Sequence, residues 1–283
     1  MANVVKQFGV FLAPHRDDVT RKEQAVAADR LGYGTVWFGT GRNSVGDLAF
    51  VEDVLASTER ITVATAIVNM WADEPETLAG SYHRLAGRYG KRLLLGIGVG
   101  HPESVTGYRS PYEKIVDYLD RLDAAGVPAE ARILAALGDR MLKLAAERTA
   151  GAHPYLVPVA HTRHARAILG AGKLLAPEQK VVVDDDPVAA RAIGRPYVRT
   201  PYLGLSNYVN NLLRHGYAEA DVAGGGSDRL IDELVLHGTP ETVAKGLQSH
   251  VDAGADHVAV QVLGPSPAVE AENHRRLAEV LFS

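Results

Sequence analysis

Unbroken apolar runs alternate with helix-spaced apolar positions along most of this chain, and residues 61–101 show the pattern best. Ile61–Val68 is apolar and β-branched with no polar alternation, as in a parallel strand covered on both faces. Asp73 is placed to cap a helix with Pro75 in its first turn, where the missing N–H costs nothing. Leu78, Tyr82 and Leu85 follow at helical spacing, and Gly90 stops the run. Leu93–Val99 is a second buried strand, ending in Gly98-Val99-Gly100-His101-Pro102. Glycines at the carboxyl end of a parallel strand let a ligand approach the backbone closely, and they equally suit a tight strand exit. The neighbouring strand ends in Asn69-Met70-Trp71, which favours a site.

The same alternation extends in both directions. Lys6–Leu12 predicts a first strand, and Thr20-Arg21-Lys22-Glu23 reads as a capping box opening a helix that ends at Gly32. Thr35–Gly39 is a second strand. Arg132–Leu137, Ala152–Val157, Lys180–Val183 and His257–Leu263 give the fifth to eighth, with helices between them. The stretch 187–237 is too long for one crossover helix. It holds Tyr202–Arg214, rich in Asn and Tyr, and the turn Gly224-Gly225-Gly226. Eight strands alternating with helices predict an α/β fold, a (β/α)8 TIM barrel. The expected layout is one domain over 1–283 with an insertion after the seventh strand, about 187–237. A doubly wound open sheet is the alternative, but no G-x-G-x-x-G follows the first strand.

A hydrophobic content of 46% supplies a sizeable core. The net charge of -4, without basic runs, argues against nucleic acid and anionic membrane as partners. The chain has no cysteine, so disulfides and thiol catalysis are out. No signal peptide or membrane-spanning run is apparent, which makes the cytoplasm the expected location.

In a barrel the site lies at the carboxyl ends of the strands. That rim is poor in carboxylates, against the paired acids of glycoside hydrolysis. His161-Thr162-Arg163-His164 offers two histidines at a helix start but no partner pair on the first strand, so no metal site is expected. There is no G-x-S-x-G elbow. A glycine-, apolar- and amide-rich rim instead suits a flat heteroaromatic cofactor that brings its own reactivity. His101, Asn69 and Trp71 are the candidate catalytic residues. Arg140, in the first turn of a helix just after Gly138, is a candidate phosphate contact or a solvated arginine. Trp37 reads as core, and His83 and His250 as structural.

Several segments together carry a family resemblance: TVWFGT, LASTERITVATAIVNMW, LLLGIGVGH and HGTPETVAKGLQSHVDAGADHVAVQVL. The chain resembles the luciferase-like monooxygenase superfamily, in particular its coenzyme F420-dependent (deazaflavin) oxidoreductases. The resemblance implies a barrel with an insertion after the seventh strand, a homodimer, and F420 or FMN across the strand ends. It implies a non-proline cis peptide within Thr65, Ala66 and Ile67 behind the ring. It also places Gly98, Gly100 and Ser104 at the cofactor. Ala136, Leu137 and Gly138, with the end of the sixth strand at Tyr155 and Val157, would lie near its phosphate and tail. Deazaflavin-dependent sugar-phosphate dehydrogenases carry an Asp-His pair after the second strand. Here that segment is Gly39-Thr40-Gly41, and His101 stands where they place an acid, so a sugar phosphate is not the expected substrate. The expected activity is hydride transfer between F420 and a small organic substrate. The alternatives are an FMN-dependent reductase or monooxygenase and a non-catalytic flavin-binding protein.

Overall fold

The structure, a computed structural model, describes residues 6–14, 16–40, 45–100 and 110–283. His101 and Ser104 therefore lie outside the described residues. From the start, β1 (Phe8–Leu12), α1 (Asp18–Leu31), β2 (Thr35–Phe38) and α2 (Ala49–Ser57) follow one another. Then come β3 (Thr62–Thr65), β4 (Val68–Asn69), α3 (Pro75–Tyr89), β5 (Leu93–Gly98) and α4 (Pro111–Ala124). The chain continues through β6 (Arg132–Leu134), α5 (Asp139–Arg148), β7 (Gly151–Ala152), α6 (Val159–Leu169), β8 (Leu174–Leu175) and β9 (Glu178–Val182). Four helices follow: α7 (Pro187–Arg199), α8 (Ser206–Arg214), α9 (Glu219–Val222) and α10 (Asp228–Leu234). The last elements are β10 (Val235–His237), α11 (Pro240–Asp252), β11 (Val258–Val262) and α12 (Pro267–Leu281).

Every strand pairing is parallel, in the order β10-β9-β11-β1-β2-β3-β5-β6-β7-β8, with β4 also on β5. β8 and β9 are parts of one extended run broken at Ala176-Pro177. Along one edge Glu178 N–H donates to Pro154 O at 2.8 Å, and along the other Ala259 N–H donates to Pro177 O at 2.9 Å. The two ends of the strand order thus meet on that run, and the sheet curls into the expected (β/α)8-type barrel. Parallel strands buried on both faces explain the uniformly buried β1, β2, β5 and β9. Burial against helices fills one face, and Phe11, Trp37, Ala64, Leu94, Ile133 and Ala259 fill the barrel interior.

Local chemistry departs from the sequence reading at four places. The third strand is not continuous over 61–68: it breaks between Thr65 and Val68, where Ala66–Ile67 is a non-proline cis peptide within the expected segment. Asp73 does not cap α3. Its buried carboxylate accepts the N–H groups of Val45 and Gly46 instead, at 2.8–3.1 Å. In α1 the cap is Asp17, whose side chain accepts from Thr20 N at 2.9 Å, so the capping box over 20–23 does not form. Tyr202–Arg214 is also two pieces, a 3-10 turn at Tyr202–Gly204 and then α8.

Candidate functional site

The carboxyl ends of the third and fourth strands make a floor of small residues. Close packing explains why. A Cβ on Gly96 would lie 1.9 Å from Thr65 O, and one on Gly98 would lie 2.7 Å from Ile67 Cδ1 and 3.0 Å from Ala135 Cβ. Only glycine lets β5 run this near the break at Ala66–Ile67 beside it. Two side-chain hydrogen bonds hold the break. Thr65 Oγ1 donates to Gly96 O at 2.9 Å, and Thr40 Oγ1 donates to Ile67 O. Ala66 and Ile67 are half-buried, while Thr65 and Gly98 are buried.

Asn69 and Trp71 stand at the edge of this floor, both half-buried. Asn69 Oδ1 accepts from Trp71 N at 3.0 Å, and Trp71 Nε1 donates to Val99 O at 2.9 Å. Gly100, at φ 59, sits against Asn69, whose Nδ2 is 3.1 Å from where a Cβ would be. The structure therefore brings Asn69, Trp71 and Gly100 together, directly before His101.

Farther round, Ala136 is buried and Leu137 and Gly138 are half-buried. Helix α5 starts at once, with Gly138 as its cap and no side-chain cap bond. The side chain of Arg140 is exposed and its guanidinium carbon lies 3.5 Å from the Tyr112 ring centroid. Asp139 is held by His164 Nε2 at 2.8 Å, and that hydrogen bond keeps its carboxyl below the usual range. His161 is buried and hydrogen-bonds Leu137 O at 2.9 Å. Among the described residues, no three His, Asp or Glu side chains are grouped to hold a metal ion. At the end of the sixth strand Tyr155 is half-buried and Val157 buried.

Three features escaped the sequence. The first is a stack inside the barrel: Trp37 lies on His153 with ring centroids 4.2 Å apart and donates from Nε1 to His257 Nε2 at 2.9 Å. Burial pulls both histidines down to about 4, so they are neutral. The second is a buried pair on β9, Glu178 and Lys180, with Nζ 3.0 Å from Oε1. The third is a chain of rings, Phe11–Tyr155–Tyr202–Tyr208, with successive centroids 5.3, 5.4 and 4.9 Å apart. Burial raises Tyr155 and Tyr208 well above the ordinary phenol value. Two charges spaced by one residue just before the apolar run Val181–Val183, at Glu178 and Lys180, were the available signal. His83 and His250 bond within the scaffold: His83 Nε2 to Ala125 O, and His250 to Thr162 and Gln179.

The family model described as luciferase-like monooxygenase matches residues 7–125. This bears out the luciferase-like resemblance over that stretch. No curated protein matches the sequence. Solved structures share the fold over nearly the whole chain. An F420-dependent secondary alcohol dehydrogenase, in complex with an F420-acetone adduct, gives a TM-score of 0.75 at 14% identity, covering 98% of this chain and 99% of that one. The coenzyme F420-dependent tetrahydromethanopterin reductase of Methanopyrus kandleri gives 0.71 at 15%, covering 98% and 99%. The oxygenating constituent of 3,6-diketocamphane monooxygenase from Pseudomonas putida, a type II Baeyer-Villiger monooxygenase in complex with FMN, gives 0.73 at 14%, covering 99% and 98%. At these identities the likeness is one of fold.

Proposed function

We propose that this chain, luciferase-like over residues 7–125 and in its fold throughout, is an oxidoreductase that transfers a hydride between coenzyme F420 and a small organic substrate. The observation that supports this most is the floor of Thr65, Ala66, Ile67, Gly96 and Gly98, in which neither glycine leaves room for a Cβ against Thr65 O or Ile67. Such a floor fits a flat tricyclic ring. Ala66 and Ile67 would lie behind the ring, with Gly98 and Gly100 at its side. The first-turn N–H groups of α5 after Gly138 would take the phosphate, since no side chain caps them. Tyr155 would border the same space.

When bound, a deazaflavin would supply hydride chemistry at its C5. The protein's part is to orient the substrate, exclude water and manage a proton. Hydride addition to a carbonyl or enone leaves an anion that must be protonated. His101, which follows Gly100, is assigned that proton, because an ordinary imidazole exchanges near neutral pH. Asn69, whose oxygen is taken by Trp71 N–H, offers its NH2 to a substrate oxygen. Trp71, fixed through Val99 O, shapes the apolar side.

FMN fits the same floor, and the FMN-bound monooxygenase among the fold relatives favours an FMN-dependent reductase or monooxygenase as the second reading. Titrating the protein with F420 and with FMN, followed by fluorescence quenching, decides between them. Micromolar F420 binding is expected. Binding of FMN alone moves the assignment to the second reading, and binding of neither refutes both.

A further inference from the structure

Strand β9 carries two charges into the barrel that the proposed chemistry does not use. Glu178 and Lys180 alternate with outward Gln179 and are 1% exposed each. Taking two charges out of water is costly, and apolar pairs of similar volume often serve stability as well. A pair kept in such a place needs another reason.

Both side chains touch the same corner of the chain. The second carboxylate oxygen of Glu178 accepts the N–H of Leu156 at 3.1 Å. Leu156 has φ 54, a left-handed backbone that leucine seldom adopts. Lys180 Nζ lies 4.0 Å from the Tyr155 ring centroid and 5.7 Å from that of Tyr202. Tyr155 is also packed against Phe11, and its hydroxyl donates to Gln261 Oε1 at 3.0 Å. The tyrosine at the end of the sixth strand is thus held by a cation, a ring and an acceptor, and the next residue is held by a carboxylate.

We propose that Glu178 and Lys180 are positioning residues. The pair locks the Tyr155–Leu156 corner and so sets the wall that cofactor and substrate rest against. The part of this that concerns ligands rests on the flavin-site reading above, and the locking itself does not. Lys180 acts on the ring through the attraction between a cation and an aromatic face, and Glu178 acts on the backbone through its hydrogen bond.

Two double variants separate these actions without leaving a buried charge unpaired. Glu178→Gln with Lys180→Met keeps an acceptor for Leu156 N–H and removes the cation. Glu178→Met with Lys180→Met removes both. The readout on the free protein is NMR of ring-labelled tyrosine, with the Tyr155 signals assigned by Tyr155→Phe. Faster Tyr155 ring flipping is expected in both variants. Loss of Leu156 amide protection from hydrogen exchange is expected in the second alone. Affinity for F420, or for FMN if that is what binds, should fall on the order of tenfold in the second variant, with melting temperature close to wild type. Unchanged ring flipping and Leu156 exchange in both variants would overturn the proposal, leaving the pair a packing feature. If the wild type binds neither cofactor while the NMR changes appear, the flavin reading fails and the lock stands.

Discussion

Acid should unfold this protein in a narrow window, because five histidines are buried as neutral rings. Burial holds His153, His161, His250 and His257 at about 4, and His274 at about 3, against an ordinary 6.5. In the unfolded chain each takes up a proton near pH 6.5, while in the folded chain it does not. The unfolded state therefore binds more protons between pH 6.5 and 4, and stability falls with pH across that window. The contribution is fully present above pH 6.5. At pH 5.5 each ring costs about 1.4 kcal/mol, so the five together cost about 7 kcal/mol. That is comparable with the whole stability of an ordinary domain, about 5–15 kcal/mol. Glu178 works the other way, since burial raises it, but it is one group against five. Urea unfolding followed by far-UV circular dichroism at matched ionic strength, from pH 7.5 to 5, measures the slope. The expected uptake is four to five protons near pH 5.5 by the same linkage, about 6 kcal/mol per pH unit. His274→Leu should lower it by about one. A urea midpoint that stays constant from pH 7 to 5 would show that these rings are not buried neutral, and the reasoning would fail.

Four further outcomes are expected. Gly98→Val forces Ile67 and Ala135 apart from positions 2.7 and 3.0 Å away, so cofactor affinity should drop sharply in a binding titration while circular dichroism stays native. Trp71→Phe removes the bond to Val99 O and should cost about 1 kcal/mol in urea unfolding, with a raised KM if Trp71 shapes the substrate side. Arg140→Ala should weaken cofactor binding by about 1–3 kcal/mol if its guanidinium leaves Tyr112 for the phosphate; unchanged affinity in the titration returns it to the surface. His101→Gln should keep cofactor affinity and lower turnover by about a hundredfold, with a changed pH profile; a normal rate would take the proton role from it.

The barrel was legible because its strands are buried on both faces, and such strands write themselves as unbroken apolar runs. The break at Ala66–Ile67 falls within the segment that the family resemblance marked for a cis peptide. No hydrophobic pattern signals it, because Thr65, Ala66 and Ile67 read as ordinary strand residues. Asp73 shows the limit of local rules. It has the residue type and spacing of a cap, yet its partners are the amides of Val45 and Gly46, far away in sequence. The Trp37–His153–His257 stack joins strands from distant parts of the chain. Spacing along one strand carries no record of what a neighbour eight elements away will present.

The run that closes the barrel has one more consequence. The chain leaves β9 at Val182 and returns at β10, where Val235 pairs with Lys180 of that same strand. Helix α7 lies close on the returning strand, with Gly194 so near Val235 that a Cβ would sit 2.7 Å from its Cγ1. Exit and re-entry are therefore side by side, and everything between them is an appendage with a fixed footprint. Lengthening such an excursion adds little closure entropy, since that term grows only with the logarithm of length. The barrel can keep its eight-fold plan while the excursion is exchanged for another that docks on the same two strands. The excursion 187–234 can thus change in length with the strands of the barrel left as they are.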